Sequence, residues 1–66
     1  MKVYIQQKKT GRFVQASGLW TEDRQQAQVF PGSLQALHFC QAYELRQVDI
    51  VVSFADSRFD VRIRLD

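Results

Sequence analysis

Sixty-six residues, 45% hydrophobic and 24% charged, with a net charge of +2 and a single cysteine, allow one small domain over residues 1–66. The lone Cys40 excludes an internal disulfide and a multi-cysteine metal site, and the ordinary apolar content with low net charge argues against disorder. A chain this short buries only about 60% of its unfolded surface, which leaves little room for an enclosed catalytic cleft and makes association a natural source of added stability.

The chain opens on a hairpin. Val3 and Ile5 alternate with Tyr4 and Gln6; a polar stretch through Gly11 and Arg12 follows, and then Phe13, Val14, Gln15 and Ala16. With Lys9-Thr10 at the loop centre, Ile5 faces Val14 and Val3 faces Ala16. Tyr4, Gln6, Phe13 and Gln15 then share the opposite face; a bulge at Gly11 would instead exchange Phe13 with Val14. Lys2, Lys8, Lys9 and Arg12 make residues 1–21 basic with no acid among them, whereas residues 22–66 carry five basic residues against seven acidic ones. Such a basic hairpin could meet an anionic partner or serve as a solvated tip that resists aggregation. The first nine residues carry Lys and Gln where a signal peptide needs an apolar run, and no segment approaches the roughly 20 apolar residues of a membrane helix. A cytoplasmic chain with reduced Cys40 is therefore expected.

Ser17-Gly18 ends the second strand, and Thr21 is placed to cap a short helical turn through Glu22, Asp23 and Arg24 to Ala27. Pro31-Gly32 breaks the chain. Ser33 is the natural N-cap of a main helix over about 34–46. On that helix Ala36, Leu37, Cys40 and Tyr43 cluster on one side, Leu34 and Leu45 on another, and Phe39 lies between them.

The last third is the clearest segment. Val48, Ile50, Val52 and Phe54 alternate with Asp49, Val51, Ser53 and Ala55; Phe59, Val61, Ile63 and Leu65 alternate with Arg58, Asp60, Arg62, Arg64 and Asp66. With Asp56-Ser57 as the loop, Phe54 falls opposite Phe59, Val52 opposite Val61, Ile50 opposite Ile63 and Val48 opposite Leu65, all on one face. The other face pairs Asp49 with Arg64 and Val51 with Arg62. A one-residue slip would set every apolar side chain against a polar one, so this register is strongly specified; a four-residue loop would keep it. The predicted architecture is a two-layer α+β domain, a four-stranded mainly antiparallel sheet (ββ-α-ββ) with one main helix on one face. The order in which the hairpins join is left open.

Trp20-Thr21-x-Asp23-x-x-x-Ala27-x-x-Phe30, followed by Ser33-x-x-Ala36-x-x-x-Cys40, resembles a pattern in small uncharacterised bacterial and phage proteins of ββαβ type. The likeness spans residues 1 to about 54. It implies that fold and carries no activity; Trp20, Ala27, Phe30 and Ala36 have the sizes of core pieces.

Catalytic chemistry has no constellation to stand on. His38 and Cys40 are two residues apart, which on a helix points them about 200° from each other, and Cys40 lies on the core face. No second His or Cys joins His38 as a metal ligand, and Gly11, Gly18 and Gly32 are too isolated for a phosphate loop. No cofactor, metal, membrane partner or small-molecule substrate is indicated, so a non-enzymatic chain is expected. Surface chemistry says more. An open sheet face bearing Tyr4, Phe13 and Val51, and a second helix stripe of Leu34, Phe39 and Leu45, predict a homodimer or protein-partner interface with Arg62 and Arg64 contributing. The alternative is weak single-stranded nucleic-acid binding, with Tyr4 and Phe13 stacking bases and Arg62 and Arg64 meeting phosphates, although the face's aspartates offset its arginines.

Overall fold

Period-two alternation through the apolar segments produces strands, and their pairing forms a five-stranded antiparallel sheet. The computed structural model describes residues 1–55 and 57–65. The strands are β1 (Lys2–Gln7), β2 (Phe13–Val14), β3 (Trp20–Thr21), β4 (Val48–Ser53) and β5 (Val61–Arg64), in the order β3-β2-β1-β4-β5. One helix, α1 (Ser33–Ala42), covers one face, and 3-10 turns occupy Arg24–Gln26 and Ser57–Phe59. The α+β class is as expected from the sequence, with five strands in place of four.

The extra strand comes from a tight reversal. Gly18 holds φ at +86°, its N–H donates to the Gln15 carbonyl, and the Gln15 N–H donates to Leu19. That conformation suits glycine. The chain therefore turns back at Ser17-Gly18 instead of leaving the sheet, and Trp20 comes to lie beside Val14. The first hairpin keeps its predicted register, with Gln6 opposite Phe13. β2 stops at Val14, however, and Val3 bridges Phe30 rather than Ala16, its carbonyl accepting the Phe30 N–H at 2.8 Å.

The two hairpins join through their first strands. β1 and β4 pair over six positions, from Lys2–Ser53 to Gln7–Val48. β5 follows β4 in the predicted register, with Asp49 opposite Arg64, Ile50 opposite Ile63, Val51 opposite Arg62 and Val52 opposite Val61. The loop is wider than expected. Residues 54, 55 and 57–60 lie outside the ladder, so Phe54 and Phe59 do not pair, and Asp56 of the predicted Asp56-Ser57 turn lies outside the described residues. Asp66 lies outside them too, and the Val48–Leu65 pair is not part of the ladder.

The main core lies between sheet and helix: Val3, Ile5, Val14, Phe30, Ala36, Cys40, Val48 and Ile50 are buried there, with Trp20 and Leu37 at its margin. Burying each Val or Ile side chain contributes about 1.5–3 kcal/mol before the entropy of ordering is counted. Trp20, Phe30 and Ala36 take the packing positions expected of them.

α1 begins one residue earlier than expected, with Gly32 at the cap position in place of Ser33 and no side-chain cap. It also ends earlier, at Ala42. The Leu45 N–H donates to Cys40 and the Glu44 N–H to Gln41, and Glu44 adopts φ +52° between them. This is a Schellman closure with Leu45 packed on the core beside Cys40, and its left-handed position is filled by Glu where Gly is the usual choice. Gln47, at φ +59°, then offers its carbonyl to the Lys8 N–H and directs the chain into β4.

A left-handed conformation costs a non-glycine residue about 1–2 kcal/mol, partly offset by the greater unfolded freedom of glycine. Glu44→Gly is therefore expected to stabilise the chain by about 0.5–1 kcal/mol, measured by thermal and urea unfolding. A lowered Tm would contradict this reading of the helix end.

Candidate functional site

The sheet face opposite α1 is not open. Residues after β3 fold back across it: the Asp23 carboxylate caps the 3-10 turn by accepting the Gln25 N–H, and the Gln28 N–H donates to the Val14 carbonyl. Asp23, and not the predicted Thr21, is the cap; the Thr21 hydroxyl accepts the Asp23 N–H one turn earlier. This segment brings Ala27 onto Tyr4, Phe13 and Val51, making a second buried cluster. Arg24 closes it. Its guanidinium lies 5.2 Å from the centroids of both the Tyr4 and Phe13 rings, which themselves meet at 5.5 Å and 57°. Its Nη1 reaches Ser53 Oγ and Asp60 Oδ2, each at 3.4 Å. A cation held against two ring faces by a carboxylate both seals and orders the cluster.

This arrangement corrects the open-face expectation. Tyr4, Phe13 and Val51 are only 3%, 6% and 2% exposed, so they belong to the interior of the chain. The helix stripe also divides. Phe39 packs at the core margin, edge-on to Phe30 at 5.2 Å and stacked on Tyr43 at 4.3 Å, and Leu45 packs on the same core. Leu34 alone of the three stands exposed. The eight residues thus do not form one surface.

Arg62 and Arg64 do share one. Beside the Arg24 clasp, the same face sinks into an open basin of ≈ 490 Å³ lined by Gln6, Gln7, Lys8, Gly11, Asp49, Arg62 and Arg64. The sequence placed Asp49 on a solvated face, but it is buried, and its carboxylate is the centre of the basin's charge network. Arg62 Nη1 donates to Asp49 Oδ2 at 3.1 Å, and Lys8 Nζ stands 3.6 Å from Oδ1. No hydrogen bond reaches Oδ1 itself. Arg64 lies directly across the ladder from Asp49. The polar Gln7-Lys8 corner reaches the basin because Gln7 ends β1 opposite Val48, next to Asp49.

On the helix side, the surface that sequence reasoning missed is β5 itself. α1 packs mainly against β1 and β4 and leaves much of β5 uncovered. Val61, Ile63 and Leu65 point to that side yet remain 50%, 38% and 38% exposed, and Leu65 continues into grooves lined by Leu37, Leu45 and Arg46.

Cys40 is buried in the core, and burial pushes its thiol up from the ordinary range, only partly offset by a backbone hydrogen bond. His38 stands exposed. Among the described residues no group of three or more His, Cys, Asp or Glu could hold a metal ion, and no helix is long and apolar enough to cross a membrane. No protein-family model, curated protein or solved structure matches the chain.

Two outcomes check this description. Removing the cations strands a buried charge, whereas removing the carboxylate leaves Lys8 and Arg62 able to hydrate. Lys8→Met with Arg62→Met is therefore expected to destabilise by about 1–2 kcal/mol more than Asp49→Asn in urea unfolding. The reverse order would contradict the geometry. A thiol reagent at neutral pH is expected to label Cys40 only as fast as the chain unfolds; rapid labelling of the folded chain would show an accessible thiolate.

Proposed function

We propose that the chain is a non-catalytic interaction module that associates with a second copy of itself through the edge of β5. The exposure of Val61 and Ile63 on an edge strand, with Leu65 just beyond its end, carries this reading. Apolar side chains and an open backbone edge on the same strand form a template for strand addition. A further copy of β5 would extend the sheet while covering the apolar seam beside α1.

Charge favours one register. Two β5 strands laid antiparallel about a twofold axis at Arg62 set Asp60 of each copy opposite Arg64 of the other, with Val61 opposite Ile63. An axis at Ile63 instead opposes Arg62 to Arg64 twice, which like-charge repulsion disfavours. In the first register Arg62 meets its own symmetry mate, but each guanidinium is already drawn to Asp49 of its own chain. The twofold arrangement is closed, so it yields a dimer and not a fibre.

The nucleic-acid reading loses its stacking groups, because Tyr4 and Phe13 lie beneath Arg24. Arg62 and Arg64 remain available to an anion.

Sedimentation velocity from micromolar to millimolar chain is expected to show a reversible monomer–dimer equilibrium. Val61→Glu and Arg64→Glu are each expected to weaken it at least about tenfold, by placing charge in the apolar seam or opposite Asp60. A monomer throughout that range, or a dimer indifferent to both substitutions, would overturn the proposal.

A further inference from the structure

We propose that the groove at the C-terminal end of α1 receives the phenyl ring of Phe59 from a second copy of the chain. This docking rests on the β5 pairing proposed above, with its twofold axis at Arg62, and names the side chain that anchors it. Phe59 ends the 3-10 turn Ser57–Phe59 just before β5 and is 64% exposed. Asp60, the next residue, reaches Arg24 on the sheet face away from α1. By alternation Phe59 falls with Val61 on the helix side.

The groove opens on that same side. It measures ≈ 320 Å³, and Leu37, Leu45 and Leu65 supply its apolar lining. A second groove of ≈ 210 Å³ shares Leu45, Arg46 and Leu65 with it. An apolar cavity of about 150 Å³ accepts a benzene molecule, so the larger groove has room for one phenyl ring. Arg46 lines both grooves, and its guanidinium can meet the face of a ring seated there.

Register brings the two together. With the axis at Arg62, Val61 of one copy lies opposite Ile63 of the other, and two residues further out Phe59 lies opposite Leu65. The axis is perpendicular to the sheet, so both helices, both grooves and both Phe59 rings share one face. Adjacent strands are about 4.8 Å apart, a span that a phenyl side chain crosses. An axis at Ile63 would instead carry Phe59 two residues past Leu65 and away from the groove. Area argues for the same anchor. The seam of two four-residue strands is small beside the roughly 1,200–2,000 Å² of a stable interface. Two Phe side chains, each of about 150–250 Å², enlarge it at both ends together with the groove walls they cover. Aromatic anchors seated in pockets are the usual centres of binding energy.

Isotope-labelled and unlabelled chain are mixed at millimolar concentration, and contacts between copies are read by isotope-filtered NOE. Contacts from the Phe59 ring to the Leu45 and Leu65 methyls are expected alongside those between Val61 and Ile63. In sedimentation velocity, Phe59→Ala is expected to weaken the dimer at least about tenfold. Leu19→Ala, which trims a side chain 65% exposed beside the opposite edge strand, is expected to leave it unchanged. Contacts between Val61 and Ile63 without any from Phe59, or a dimer indifferent to Phe59→Ala, would overturn the anchor and leave the strand pairing standing. Equal weakening by Leu19→Ala would overturn it too, as the mark of unspecific apolar association. A chain monomeric throughout would overturn the anchor and the pairing together.

Discussion

The six-position pairing of β1 with β4 is the constraint on which the rest of the structure depends. It joins a hairpin from each end of the chain and so creates a sheet where either hairpin alone would be marginal. It also assigns the faces. Val3 and Ile5 line up with Ile50 and Val52 toward α1, while Tyr4 and Gln6 line up with Val51 and Asp49 on the other side. Every feature of functional interest follows from that parity: the buried clusters, the basin around Asp49 and the exposed row on β5.

A sheet this small covers both faces by unequal means. One face receives a ten-residue helix. The other receives a single 3-10 turn, too short to supply much apolar area, and Arg24 makes up the difference by lying over two rings while reaching Ser53 and Asp60. β5 is left partly uncovered, with apolar side chains on the helix side and arginines on the other, and the proposed contact with a second copy falls at that edge.

The registers were legible because apolar alternation is strict enough that a slip would be costly: Ile50–Ile63 and Gln6–Phe13 both lie where pattern alone put them. β3 was not legible, since two residues are too few to show a period, and its existence hangs on the reversal at Gly18. The Arg24 clasp had no local signal either, because its partners are distant along the chain. One signal was present and could have been read. The run Ile50-Val51-Val52 is apolar on both faces, which marks a strand buried on both sides and should have ruled out an open face at Val51. Asp49 interrupts that run, and an ionisable residue inside a doubly covered strand needs cations close by, as Lys8 and Arg62 are.

Amide hydrogen exchange at low and high chain concentration tests most directly whether β5 is the edge left for pairing. β1 and β4 are central and are expected to be the most protected segments at both concentrations. The account requires β5 amides to gain protection as concentration rises, while β3, the opposite edge, stays unchanged. Equal protection of β5 at both concentrations, or a gain confined to β3 or α1, would contradict it.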